Sequence, residues 1–230
     1  MVSVKRYPLG PLKSNCYVVE SDGEVMIIDP GWPEWLDEVL KGLRNVKYII
    51  ATHGHFDHVS GVAVAKSLTG ALYGIHERDV ELSRRARSAA LRYLGVEVPE
   101  VPSPDFTLKE GDRLELGEVE VRVVETPGHT MGSISLLVPA GAFVGDVLLA
   151  SQRVLSMTSY GAVFTGDTLF KGAVGRVDFA HSSAELMRES LRKLGRLPRE
   201  TIVYPGHGAP TTIGEEKENN PYLREVLNSS

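Results

Sequence analysis

The sequence predicts a mixed α/β (α+β) protein whose short strands end in loops that carry its chemistry. Three observations lead there. The chain opens with β-like runs separated by turn residues, and it continues with strands that alternate with helical apolar stripes. It also repeats one device: a short β-like run, then small residues, then a side chain able to hold a metal. With 230 residues, 42% hydrophobic and 24% charged, the chain can bury a full core and is not a disordered polymer. A single domain spanning 1–230 is expected, as one large unit or two fused halves.

Runs 3–7, 15–20 and 24–29 are β-like, and Pro8, Gly10, Pro11, Asp22 and Gly23 supply the turns of an antiparallel start. Asp29-Pro30-Gly31 ends the third strand, Pro33 suits a first helical turn, and Trp35, Leu36, Val39, Leu40 and Leu43 form a helical stripe. Strand 46–51 follows, then a loop, a helix over 59–68, a strand over 71–75 and a charged helix over 77–93. Arg84, Arg85 and Arg87 on that helix read as a solvated face. The Pro-rich run 98–104 is a surface connection. Runs 112–116 and 118–125 flank Gly117 and alternate polar with apolar, as a hairpin does. Strands over 133–138, 162–165 and 201–204 and helices over 183–194 and around 214–220 complete the chain.

The loop after strand 46–51 reads Thr52-His53-Gly54-His55-Phe56-Asp57-His58, three imidazoles and a carboxylate within six residues. A lone histidine is ordinarily a packing or surface residue. Three so close, with an aspartate among them, are ligands for a borderline metal ion. Their position between a strand and a helix suits a site, because ligands collect at the carboxyl ends of strands in open α/β sheets. His129, in Pro127-Gly128-His129-Thr130, and His207, in Pro205-Gly206-His207-Gly208, stand at two further strand ends, and Asp167 in Gly166-Asp167-Thr168 at another.

Composition narrows the function. A net charge of -5 without a long basic run argues against nucleic acid as a partner. No apolar run approaches a membrane span, and residues 1–7 do not begin as a secretory signal, so a cytoplasmic protein is expected. Cys16 is the one cysteine; its apolar flank Tyr17-Val18-Val19 marks it as a packing residue, not a nucleophile.

Together, T-H-x-H-x-D-H at 52–58, P-G-H-T at 127–130, G-D-T at 166–168 and P-G-H-G at 205–208 resemble the metallo-β-lactamase superfamily, in its order and over nearly the whole chain. Residues 164–170, 175–179 (Gly-Arg-Val-Asp-Phe) and 204–220 resemble its glyoxalase II-like, or hydroxyacylglutathione hydrolase-like, branch. The resemblance implies a four-layer αββα sandwich with the site at the loop edges of its sheets. It implies that His53, His55 and His129 hold one divalent ion, that Asp57, His58 and His207 hold a second, and that Asp167 bridges them. Zinc is the first expectation, with iron or manganese compatible. It further implies that Asp57 and Asp167 serve catalysis as metal ligands, and that a water shared by the two ions and made acidic by them attacks a thioester. Arg176 matches a basic position that meets glutathione in the family and is a candidate for an anionic substrate tail; Lys171 is a weaker one.

Residues 208–230 are too few for the C-terminal helical domain that holds much of the glutathione in glyoxalase II proper, so the thiol of the substrate stays open. Gly208-Ala209 also replaces an acidic and aromatic pair often found there. His76 and His181 lie outside every motif and read as surface or helix-start residues. The rival function is a persulfide dioxygenase, which shares the fold and would use one iron on His53, His129 and Asp167; the P-G-H-G segment favours the hydrolase. Nucleic-acid processing is a third class, disfavoured by the acidic balance. Residues 141–148 echo 161–169, so Asp146 competes with Asp167 as the bridge. Only Asp167 continues into the branch's own segments, which leaves 140–160 as an inserted β-hairpin at a homo-oligomer contact or at the rim of the site.

Overall fold

The computed structural model describes residues 2–139, 147–149, 152–154 and 161–229, with the backbone alone at 147–149 and 152–154. Strands β1 (Val2–Leu9), β2 (Ser14–Ser21) and β3 (Glu24–Ile28) pair antiparallel, as the turn residues require. β4 (Val46–Ile50), β5 (Leu72–His76) and β6 (Phe106–Leu108) then add in parallel, making a six-stranded sheet in sequential order. Parallel neighbours need crossover connections. These contain α1 (Leu36–Leu40), then α2 (Phe56–Val59) with α3 (Val62–Thr69), then α4 (Val80–Arg84) with α5 (Ala86–Leu94).

The second half starts with β7 (Arg113–Leu116), β8 (Val119–Glu125) and β9 (Ile134–Val138). β10 (Val147–Leu149) and β11 (Gln152–Val154) pair antiparallel with each other. After β12 (Ala162–Gly166) come the short pair β13 (Leu169–Phe170) and β14 (Ala173–Val174), α6 (Ala184–Gly195), β15 (Ile202–Pro205), β16 (Thr211–Thr212), α7 (Ile213–Asn219) and α8 (Pro221–Asn228). The second six-stranded sheet runs β16-β15-β12-β9-β8-β7, with β12 and β15 parallel.

The two-residue period of a strand sorts its side chains into layers. On β3, Met26 and Ile28 join Leu136, Phe164 and Tyr204 between the sheets, while Ile27 turns the other way toward Leu36, Val62 and Ala65 of the helices. On the second sheet Phe164 and Tyr204 face inward, and Val163 and Val203 face Met187, Leu191, Ile213 and Leu223. The result is helix, sheet, sheet, helix. Cys16 is fully buried among apolar neighbours, and burial pushes its thiol far up, so it is a packing residue. Among the described residues no helix is long and apolar enough to cross a membrane.

Several elements differ from expectation. The helix expected over 59–68 is two helices broken at Ser60-Gly61, where Gly61 N–H donates to Pro30 O (2.8 Å) and an added Cβ would lie 2.4 Å from that oxygen. The helix expected over 77–93 is a 3-10 turn and two α-helices meeting at Arg85. Arg84 and Arg85 pair with Glu81, and Arg87 with Glu97 and Glu100, on a solvated face. β6, the β13–β14 pair and α8 were not anticipated. α8 starts at Pro221, with Asn220 Oδ1 accepting from the N–H groups of Tyr222 and Leu223. Asp146 and most of the 140–160 stretch lie outside the described residues.

Candidate metal centre

Each expected ligand sits just beyond a strand. β4 leads to His53, His55, Asp57 and His58, β8 to His129, β12 to Asp167 and β15 to His207. The structure brings all seven together. His53, His55 and His129 form one group of convergent donors, Asp57, His58 and His207 another, and His53, His58 and Asp167 a third between them, with the donor atoms of each group within 4.8 Å of one another. Asp167 lies centrally: Oδ1 is 3.4 Å from His58 Nε2, and Oδ2 is 3.4 Å from His129 Nε2 and 3.6 Å from His207 Nε2. Asp57 Oδ2 is 3.2 Å from His207 Nε2 and 3.6 Å from His58 Nε2.

The outward nitrogens are also held. His58 Nδ1 lies 2.9 Å from Asp29 Oδ2, His129 Nδ1 2.8 Å from Arg176 O, His207 Nδ1 3.2 Å from Leu12 O and His53 Nδ1 3.2 Å from Thr52 Oγ1. Thr52 Oγ1 itself donates to Asp29 Oδ2 (2.7 Å), so it accepts from His53. A ring that donates through Nδ1 keeps the lone pair of Nε2 for the centre. His55 is turned the other way: Nδ1 faces His129 Nε2 at 2.8 Å, and Nε2 faces His181 Nε2 at 2.8 Å.

This donor set fits divalent ions. His53 Nε2 and Asp167 Oδ1 are buried without a hydrogen-bond partner among the described residues, an arrangement that costs free energy unless something else satisfies them. Imidazoles and carboxylates in this mixture suit zinc, iron or manganese. The backbone also makes room: a Cβ on Gly206 would lie 2.2 Å from Asp167 Oδ1 and 2.9 Å from His58 Cε1, so only glycine lets the His207 loop approach this closely.

Protonation is uneven across the cluster. Burial and the neighbouring imidazoles hold His53 well below its ordinary value, and burial and His129 push His55 down to about 3. Burial alone would lower His58 too, but Asp167, Asp57 and Asp29 override it and raise the ring to about 10. Burial opposes ionisation of Asp57, yet His58 and His207 hold it well below the usual carboxylate range; the bond to Asp57 and the charge on Asp167 correspondingly lift His207 against its burial.

Three residues that the sequence reading did not assign to the site tie it together. Asp29, at φ 51° in the left-handed region that non-glycine residues rarely adopt, accepts from Thr52 N (2.7 Å) as well as from Thr52 Oγ1 and His58. Its one sequence signal is Asp-Pro-Gly at a strand end. Buried Asp79 accepts from Gly54 N (2.8 Å), Thr130 Oγ1 (2.6 Å) and Gly132 N (2.8 Å), joining the two loops that carry His53 and His129. His181 is a correction: it is neither an ordinary surface residue nor a helix start but a half-buried ring against His55. His76 does begin a helical turn, accepting from Arg78 N through Nδ1, with Nε2 on Glu125. Ser14 Oγ donates to Asp57 O, and Asn15 Nδ2 and Tyr17 OH donate to Pro205 O, which anchors the His207 loop.

The substrate candidates lie outside the cluster. Arg176 is exposed, forms a two-point pair with Asp178 (2.9 and 2.8 Å) and lies 4.6 Å over the Phe179 ring, which packs against His55 and His129. Lys171 is exposed between β13 and β14.

Two face-to-face sheets with helices outside, and a His/Asp centre on their loop edge, define a protein of the metallo-hydrolase class. The chain belongs to the metallo-beta-lactamase superfamily, which it matches over residues 9–158 and 150–207. It is 32% identical to the hydroxyacylglutathione hydrolase GloC of Haemophilus influenzae, over 96% of this chain and 98% of that one. The crystal structure of TTHA1623 in a di-iron-bound form is 35% identical, with a TM-score of 0.78 over 95% of this chain and 99% of that one. That of the B3 metallo-beta-lactamase BLEG-1 is 31% identical, with a TM-score of 0.79 over 96% and 99%. The expected αββα fold and the glyoxalase II-like resemblance therefore hold.

Proposed function

We propose that this protein is a binuclear metal-dependent hydrolase that cleaves a thioester in the cytoplasm. The observation that carries the proposal is the pair of adjoining donor groups with Asp167 within reach of histidines from both. His53, His55 and His129 would hold one ion and Asp57, His58 and His207 the other, most simply zinc, with Asp167 between them. Two such ions would supply an acidified water and a Lewis acid for the carbonyl. The chain's own groups do the rest. Asp29 takes the Nδ1 proton of His58 in a hydrogen bond, the Arg176 carbonyl does so for His129 and the Leu12 carbonyl for His207, so each ring presents Nε2 inward. No side-chain nucleophile is needed, and Cys16 is too deeply buried and too weakly acidic to be one.

The thioester is favoured because a thiolate leaves with little acid catalysis, and because GloC, similar along its full length, is named for such a reaction. Phe179 beside the imidazoles offers an apolar wall, and Arg176 above it a cation for an anionic tail. The acidic balance of the chain supports a small-molecule substrate over a nucleic acid. The test is turnover of S-D-lactoylglutathione and a panel of other thioesters, including those of coenzyme A, with elemental analysis of the same sample. Release of thiol with two metal equivalents supports the proposal. One iron per chain and oxygen uptake with a persulfide would replace it with the dioxygenase reading. Turnover of coenzyme A thioesters alone would change the substrate and leave the hydrolase standing.

A further inference from the structure

We propose that His181 is a positioning residue for the metal centre: through its Nε2 it accepts the Nε2 proton of His55 and so fixes the tautomer and ring angle in which His55 offers Nδ1 to the ion. This rests on the reading that His53, His55 and His129 hold a metal. The other rings of the cluster have their outward nitrogen on an oxygen: Asp29 for His58, Arg176 O for His129, Leu12 O for His207 and Thr52 Oγ1 for His53. His55 alone presents Nδ1 inward, so its outward nitrogen is Nε2, and the group there is His181 Nε2 at 2.8 Å. Two ring nitrogens at that separation must share one proton. Giving the Nδ1 lone pair to a metal leaves the proton of neutral His55 on Nε2, so His55 donates and His181 accepts, with the proton of neutral His181 on its Nδ1.

The place of His181 is set from both sides. Its ring stacks on Phe179 with 5.4 Å between centroids and 6° between planes, and Phe179 in turn meets His55 and His129 edge-on. The backbone around it is fastened to the His129 loop: Ser182 Oγ donates to His129 O (2.7 Å), Ser182 N to Phe179 O (3.0 Å) and Ser183 N to Gly128 O (2.8 Å). Ser183 then caps α6 by accepting from Leu186 N, so the turn is pinned to a helix as well. An acceptor held this firmly restricts His55 to one orientation. Removing such a partner typically weakens metal affinity about 10- to 100-fold.

The experiment measures Zn2+ affinity at each site by competition with a chromophoric chelator, for the wild-type protein and for His181→Ala, His181→Phe and His181→Gln. Thioester turnover is not the readout, so an error in the substrate would not disturb it. The wild type is expected to bind two equivalents, one of them lost in His55→Ala; retention of every bound equivalent in His55→Ala would remove the His53, His55 and His129 site on which the proposal rests. His181→Ala and His181→Phe should each weaken one equivalent about 10- to 100-fold and leave the other unchanged. Phe keeps a ring on Phe179 and removes only the acceptor, whereas Gln places an amide oxygen near the lost nitrogen and should restore most of the affinity. Wild-type affinity in His181→Phe would reduce the residue to packing and overturn the proposal. So would loss of a whole equivalent in His181→Phe combined with full retention in His55→Ala, since His181 would then be the ligand itself.

Discussion

The chemistry of this centre turns on where single protons sit. His58 is raised to about 10 by three carboxylates, and His55 is lowered to about 3 by burial and its imidazole neighbours. Without metal, then, His58 is charged at pH 8 and His55 is neutral. An ion entering between Asp57, His58 and His207 has to displace the His58 proton. Uptake at pH 8 is expected to release at least one proton per chain, that of His58, read from binding enthalpies in buffers of different ionisation enthalpy; no release would show His58 already neutral. The same values fix the pH dependence of the metal-free fold. His58, raised above an unfolded value of about 6.5, stabilises fully below that pH and loses its contribution as pH rises toward 10. His53 and His55, lowered, cost stability as pH falls below about 6.5. These histidines together give the metal-free protein its highest melting temperature near neutrality, with a decline on both sides, and a flat acid limb would contradict the burial argument for His53 and His55. Asp167→Asn should lose at least one metal equivalent and nearly all turnover, because an amide offers one neutral oxygen where the carboxylate offers two anionic ones within reach of both donor groups; elemental analysis decides it.

Among elements, the loops at strand ends carry the site, and they were the most legible part of the sequence. β-branched runs and small turn residues placed His53, His129, Asp167 and His207 at the carboxyl ends of β4, β8, β12 and β15, because strand period and turn chemistry are local properties. What binds those loops to one another was not legible. Asp79 lies 25 residues from Gly54 and 53 from Gly132, so no window of sequence shows that it serves both. His181 is 126 residues from His55, and Asp29 is 29 from His58. The missed elements failed for a related reason: β6 is three residues long and exists because β5 lies beside it, and the helix over 77–93 breaks for tertiary reasons that periodicity does not carry. Asp79→Ala tests how far the loops depend on such ties. It leaves the buried N–H groups of Gly54 and Gly132 without their acceptor, each costing about 1–3 kcal/mol, while the Thr130 hydroxyl keeps Ser133 Oγ as a partner. An unfolding free energy lowered by several kcal/mol and impaired metal uptake are expected; a loss below about 1 kcal/mol, less than one such group, would mean that the His53 and His129 loops are held by ties other than Asp79, such as Ile134 N–H on Thr52 O.

The whole molecule separates the part that folds from the part that reacts. Among the described residues three apolar clusters, one between the sheets and one under each helical layer, are built from Tyr17, Phe164 and Tyr204, from Ile27, Ile49 and Leu36, and from Val163, Leu191 and Leu223, and they include none of the seven expected ligands. Small zinc domains unfold without their ion because they lack such a core, whereas this chain has the buried apolar residues of a full domain. Metal should therefore stabilise by mass action without being a condition for folding. At free metal 100-fold above the dissociation constant, each site adds about 2.7 kcal/mol, which in a chain of this size raises the melting temperature by roughly 5–10 °C. Chelation of both ions is expected to lower the melting temperature by roughly 10–20 °C and abolish turnover while leaving the far-ultraviolet circular dichroism of both sheets and their helices intact. One contact that links core and centre is the Tyr17 hydroxyl on Pro205 O, at 2.6 Å. Tyr17→Phe keeps the ring between Phe164 and Tyr204, and Asn15 still donates to Pro205 O, so the cost should be only about 1 kcal/mol. Phe164→Ala opens a cavity between the sheets and should cost about 3–5 kcal/mol. If chelation alone abolished the circular dichroism signal while Phe164→Ala left the melting temperature of the loaded protein unchanged, the stability of this chain would reside in its metal centre and not in the sandwich.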